Sequence, residues 1–324
     1  MKIELKHNID NNFLGVKTTS DLNKIIHLGR YPELVMLAEA YSDKRIVEVA
    51  NMIAQGKKRI ILVAGPSSSG KTTFSKKLCV HLAVNGMEPL YLGTDDYFVE
   101  REETPLDSKG EPNYEDLEAV DINLFNDNLI QLLKGEEVDL PTFNFMTGHK
   151  DYGKRLTKMK KGQPIVIEGI HALNDALTPV FTKSEKFKIY ICPITSIKTD
   201  NAVGIKPEDH RILRRIARDS VSRGHSAEET IKHWDKVRAG EKKNIIPFAD
   251  SADYLYNSSL IYEISLLKKH VWPLLNEIDP KSEVFDTAWR LIEFLRGFDD
   301  YQDDNIVPND SILKEFIGGS IYTE

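Results

Sequence analysis

The sequence predicts an α/β protein, a doubly wound parallel sheet flanked by helices. Three observations carry this. Strand-length apolar runs recur along the chain and alternate with stretches of helical period. The first run, 59–65 (RIILVAG), is apolar without interruption, so both of its faces must be covered, as in a parallel sheet between helices. That run ends in a turn rich in glycine and serine, which opens directly onto a helix.

Taken in order, residues 1–28 are polar and mixed, with little periodicity. After Gly29 come two helical patterns. One covers 33–41; the other is opened by Ser42 and Asp43, carries Ile46, Val49, Ala50 and Ile53 on one face, and stops at Gly56. Residues 1–56 are therefore expected to be an N-terminal helical extension, and 57–324 the main domain. A helix over 71–84 presents Phe74, Leu78 and Leu82 on one side. Further strands are expected at 89–93, 164–168, 186–192 and 253–256, separated by helices at 121–133, 207–223, 227–242 and 259–277. A helix at 286–298, with Trp289, Leu291, Ile292 and Leu295, packs at the C-terminal end, and 308–324 form a docked tail. There is no internal repeat.

The chain has 324 residues, 41% hydrophobic and 29% charged, enough for one large core or two modest ones. A net charge of −7 argues against a nucleic-acid-binding surface. Cys79 and Cys192, each inside an apolar run, read as buried structural thiols. No apolar stretch approaches the ~20 residues that span a bilayer, and the first ten residues have no apolar signal region. A cytoplasmic location is expected, with no membrane partner; homo-oligomerisation is left open.

Gly65-Pro66-Ser67-Ser68-Ser69-Gly70-Lys71-Thr72 matches G-x-x-x-x-G-K-[ST], between a strand and a helix as that motif requires. The glycines let the backbone turn tightly, so that successive N–H groups face phosphate oxygens, and the helix dipole favours the same anion. Lys71 is placed to reach the β- and γ-phosphates, and the Thr72 hydroxyl to coordinate Mg²⁺. Residues 65–72 together with Thr73 are the expected ATP contacts of a P-loop NTPase. Two acidic positions follow strands, where ligands bind in open parallel sheets: the Asp95–Asp96 pair and Glu168. One such carboxylate can hold the metal or its waters, while another takes the proton of an attacking hydroxyl. The guanine-reading N-K-x-D is absent, which disfavours a GTPase.

Arg211, Arg214, Arg215 and Arg218 recur at three- and four-residue spacing and share a helix face, with Arg223 in the last turn before Gly224. Such a face suits an anion and reads as a lid over the nucleotide, at about 207–245; a solvated basic face is the alternative.

With these motifs the chain resembles the uridine kinase/phosphoribulokinase family over about 57–265. The resemblance implies that Asp95 is the general base and approaches the metal with Thr72 and Glu168. It implies catalytic roles for Lys71, Arg215, Arg218 and Arg223, and an insertion at about 97–160 that binds the acceptor. Its acceptor contacts fall on Phe98, Tyr114, Glu115, Phe143, His149 and Arg211. Here Glu115 stands in place of aspartate, Phe98 and Phe143 in place of tyrosines, and His149 one position late. ATP, Mg²⁺ and a small-molecule acceptor follow from the resemblance, foremost the 5′-hydroxyl of uridine or cytidine. A phosphoribulokinase-like sugar-phosphate kinase and a non-catalytic ATP-binding regulatory module are the alternatives. Longer relatives carry a threonyl-tRNA-synthetase-like N-terminal part, and 1–56 resemble the link that precedes the kinase part. His171, Tyr152 and Arg155 are further pocket candidates, each balanced by a packed or solvated role. His225 and His233 read as surface residues, and Lys158–Lys161 as a solvated turn.

Overall fold

The computed structural model describes residues 13–107, 110–200 and 204–322, so the expectation for residues 1–12 lies outside the described residues. In chain order the strands are β1 Ile60–Ala64, β2 Leu90–Gly93, β3 Glu137–Asp139, β4 Thr142–Asn144, β5 His149–Asp151, β6 Leu156–Lys158, β7 Ile165–Glu168, β8 Lys186–Cys192 and β9 Tyr254–Asn257. The helices are α1 Thr19–His27, α2 Tyr31–Gly56, α3 Lys71–Val84, α4 Ile122–Lys134, α5 Pro207–Arg218, α6 Ala227–Asn244, α7 Ile246–Ala249, α8 Glu263–Asn276, α9 Phe285–Arg296 and α10 Lys314–Ile317.

Five strands form one all-parallel sheet in the order β2-β7-β1-β8-β9. Every residue of β1 is buried, because alternate side chains serve two cores. Ile60, Leu62 and Ala64 pack with α4 and the insertion; Ile61 and Val63 pack with α2, α3 and the C-terminal Ile312 and Phe316. A third core joins α1, the first half of α2, α5, α6, α8 and α9.

Two helical features differ from expectation. Residues 19–27 form a helix because the Thr18 hydroxyl and the Asp21 carboxylate cap each other across its first turn. The expected break at Ser42–Asp43 does not occur, and α2 runs unbroken for 26 residues. Both polar residues are tied outward instead, Ser42 to the Tyr256 hydroxyl (2.8 Å) and Asp43 to Lys77 (2.5 Å). Residues 13–56 thus line two of the three cores. The insertion holds two antiparallel pairs, β3–β6 and β4–β5.

Among the described residues no helix is long and apolar enough to cross a membrane.

Candidate active site

Register assembles the first carboxylate. Glu168, the last residue of β7, lies level with Val63 of β1 on one side and Gly93 of β2 on the other. It is therefore two residues from the start of the Gly65–Thr72 loop and two from Asp95, which sits on the 3₁₀ turn Thr94–Tyr97. Close approach is enforced at Gly169, where a Cβ would fall inside the Thr94 side chain. At Gly65 a Cβ would strike the backbone of Ile191.

The loop turns through Gly70 at φ 84°, a conformation that favours glycine. Lys71 extends over it, with Nζ 3.4 Å from the Pro66 carbonyl and 4.0 Å from Glu168 Oε1. The Thr72 hydroxyl donates to Glu168 Oε2 (3.4 Å), which also accepts from Tyr91 (3.1 Å). Among the described residues the buried hydroxyls of Ser68 and Ser69 have no hydrogen-bond partner. Burial, with Asp95 adding to it against Lys71, pushes the Glu168 carboxyl up to about 7. Pro66 and Ser67 complete the loop, and Thr73, the third residue of α3, hydrogen-bonds to Glu315 of α10.

The five arginines do not share one environment, so the expectation of a single anion-facing row is corrected. Arg214 has 0% exposure. It is spent on Glu263, to which its Nε and Nη2 donate at 2.9 Å, while Phe316 lies against its guanidinium. Arg211 pairs with Glu241 (2.8 Å), stacks on Trp234 and donates to the Ser67 carbonyl (3.1 Å). Glu241 in turn accepts the Ser67 N–H (3.1 Å), so α5 and α6 are latched to the loop. Arg215 donates to the Ser67 hydroxyl (2.9 Å). After α5 the helix loosens into one π turn, Asp219–Arg223. That turn lets Arg215 (3.3 Å), Arg218 (2.7 Å) and Arg223 (3.9 Å) converge on buried Asp219. Burial alone would raise the Asp219 carboxyl, but Arg218, Arg215 and Arg223 hold it below its ordinary range. The anion that the arginines demand is partly internal.

On the insertion side, the Phe98 ring lies 5.3 Å from Tyr114 and 5.6 Å from Phe143, edge to face. Glu115 presses so closely on α6 that a Cβ at Gly240 would stand 2.7 Å from its own Cβ. Burial, then neighbouring Glu241, raise its carboxyl to about 7 against Arg215 and Lys71, with Asp95 also near enough to contribute. One charged group thus contains Lys71, Asp95, Glu115, Glu168 and Arg215. His149 stands apart: it is exposed and bonded to Glu100 (2.7 Å). Lys150, next to it, reaches the Phe98 carbonyl (3.0 Å). Arg155 is paired with Asp96 (2.5 Å), and Tyr152 is half exposed. His171 is buried against the Asp116 backbone, His225 and His233 are exposed, and both cysteines are free, their thiols raised by burial. Asp219, Glu241, Glu263 and Glu315 carry no sequence signal of their own: Asp219 is one acid among arginines, and the partners of the other three, Arg211, Arg214 and Thr73, are remote along the chain.

The sequence profile of the phosphoribulokinase/uridine kinase family matches residues 60–260. The chain belongs to that family. Uridine kinases of Staphylococcus aureus strains JH9 and Newman are 30% identical to it over 197 residues, 60% of this chain and 86% of each relative. A solved structure described as a possible uridine kinase from Bacillus stearothermophilus aligns at 19% identity and TM-score 0.39, covering 62% of this chain and 89% of that one. This protein is thus a P-loop small-molecule kinase of the phosphoribulokinase/uridine kinase family, and ATP is its family's donor.

A magnesium ion fits the donor set of this kinase. The ion takes hard oxygen ligands, commonly one or two carboxylates completed by substrate phosphates and water. Thr72 and Glu168 bring one hydroxyl and one carboxylate oxygen within 3.4 Å of each other beside the loop. Among the described residues no group of three or more His, Cys, Asp or Glu offers a metal cage.

Proposed function

We propose that this kinase transfers the γ-phosphoryl group of ATP to a primary hydroxyl of a small acceptor, foremost the 5′-hydroxyl of uridine or cytidine. The observation that carries it is the grouping of Lys71, Asp95, Glu115, Glu168 and Arg215 at the carboxyl end of the parallel strands, with an aromatic cluster on the same insertion as Glu115. Asp95 takes the hydroxyl proton as the new O–P bond forms and the β–γ bridging bond breaks, and ADP leaves with the bridging oxygen. Lys71 and the loop N–H groups hold the β- and γ-phosphates, and Arg215, Arg218 and Arg223 balance the charge of the transferring group. Thr72 and Glu168, with Asp95, would hold Mg²⁺, which neutralises phosphate charge when bound. Phe98, Tyr114 and Phe143 supply an apolar aromatic wall for a base, and Glu115 an acceptor for sugar hydroxyls. The similarity to proteins named uridine kinase supports this choice of acceptor.

Purified protein with Mg-ATP and a panel of nucleosides, sugars and ribulose 5-phosphate tests it. ADP should form with uridine or cytidine, and Asp95→Ala should lower kcat by about 10³-fold or more while ATP still binds. Turnover with ribulose 5-phosphate alone would replace the nucleoside by a sugar phosphate. An Asp95→Ala protein as fast as the parent would remove Asp95 from the role of base.

A further inference from the structure

The C-terminal segment returns to the phosphate loop and is fixed there from several sides. Lys77 of α3 pairs with Asp310 (3.0 Å). The Ser311 hydroxyl donates to the buried carboxylate of Glu39 (2.6 Å). Ile312 covers Gly70 so closely that a Cβ on that glycine would collide with it. Phe316 lies under Arg214 of the lid, ring centre 4.9 Å from the guanidinium. Between Ile312 and Phe316 stands Glu315. Its Oε2 accepts both the backbone N–H (3.2 Å) and the hydroxyl (2.7 Å) of Thr73.

Thr73 is 1% exposed and lies in the first turn of α3. Its N–H belongs to the set of helix-start donors that no intrahelical carbonyl satisfies, and these are the groups a phosphate uses at a P-loop. A carboxylate is drawn to them for the same reason a phosphate is: two donors and the positive end of the helix dipole. Its charge also reaches Glu168, whose carboxyl it helps to raise. Two anions cannot share one pair of donors. The flanking anchors hold the α10 backbone, so only the Glu315 side chain has to rotate for the donors to be released.

We propose that Glu315 is a further residue of the donor site, one that competes with the nucleotide: its carboxylate holds the Thr73 donors until the phosphates of ATP displace it. Glu315 thereby sets the affinity for the donor and keeps the first turn of α3 satisfied when no nucleotide is bound. This rests on ATP as donor and not on the identity of the acceptor. It therefore fails or stands separately from the nucleoside assignment.

Calorimetric titration of the full chain with Mg-ATP, ADP and adenosine, without acceptor, tests it on Glu315→Gln. The amide keeps the shape and removes the charge. A charge-assisted hydrogen bond is lost from the competing state, so ATP and ADP should bind about tenfold more tightly. Adenosine, which has no phosphate, should bind as it does to the parent. Unchanged or weaker ATP binding would overturn the proposal and leave Glu315 a cap of α3. Equal tightening for adenosine would overturn it too, because the competition would not be with phosphate. Should Glu315→Gln not fold, as judged by circular dichroism, Glu315→Asp withdraws the carboxylate by one methylene and is read by the same criteria, with a smaller gain of about threefold.

Discussion

Around the phosphate loop the chemistry rests on backbone held between packed layers, whereas around Phe98, Tyr114 and Phe143 it rests on side chains carried by three-residue strands and loops. β1 is buried on both faces, and Gly65 and Gly169 stand where no Cβ fits, so the donor side has one geometry available to it. The side proposed to take the acceptor is different. β4 and β5 pair over only three residues, and the tip between them leaves Phe145 and Met146 61% and 89% exposed. The first region is fixed by close packing of main chain, and the second by side-chain contacts that substitution can retune. A kinase family can keep one donor while varying its acceptors if its fold divides the work in this way.

The sharpest test lies within a single helix turn, at Arg214 and Arg215. Arg215→Met should lower kcat by about 10³-fold, the order expected of an arginine that balances charge on a transferring phosphoryl group, with thermal stability nearly unchanged. Arg214→Met should do the reverse. It strands Glu263, which Arg214 and His210 hold below its ordinary range against burial. Breaking such a buried pair costs about 3–5 kcal/mol of stability, read by denaturant unfolding, while any protein that folds keeps its kcat. If Arg214→Met reduced kcat in a fully folded protein, the division of labour between Arg214 and Arg215 would be broken.

His171 sits at the joint between the two regions, in the loop after Glu168 and against the backbone of Asp116. Burial holds its imidazole down to about 4, against 6.5 for the free side chain, so the folded chain keeps it neutral. Between those values the unfolded chain binds a proton that the folded chain refuses. The histidine therefore adds nothing against folding above pH 6.5, and stability falls as the pH drops through the window. The loss should reach about 3 kcal/mol at pH 4, and unfolding curves of His171→Leu should lack that share of the acid slope. An unchanged slope would mean that the joint admits water and a proton.

The same contrast decides what could be seen in sequence. The parallel strands are legible where a strand covered on both faces is apolar at consecutive positions, as in 60–64 and 165–167. The loop was legible because each residue answers to local backbone geometry. The short pairs β3–β6 and β4–β5 were not, since three residues cannot show a period of two. Arg211, Arg214, Arg215 and Arg218 showed a shared face but not its division, because Glu241 and Glu263 reach it from 30 and 49 residues away. Ser42–Asp43 reads in sequence as a break in α2, because the partners that keep the helix whole, Tyr256 and Lys77, belong to other layers.

The smallest expected effect addresses the proposed acceptor wall. Phe143 is 5% exposed and meets Phe98 edge to face. Phe143→Leu keeps most of the apolar volume and removes the ring, worth about 0.5–1.5 kcal/mol in aromatic geometry. If the ring contacts a nucleoside base, the KM for the acceptor should rise about three- to tenfold while kcat and the KM for ATP stay where they were. A rise in the KM for ATP of the same size would show that the hairpin transmits strain to the loop through β2 and the Thr94–Tyr97 turn. In that case the two regions would have to be treated as one mechanical unit. An unchanged acceptor KM would move the base-binding wall elsewhere, toward Tyr114 and the segment of Glu115 that α6 holds by Asn244.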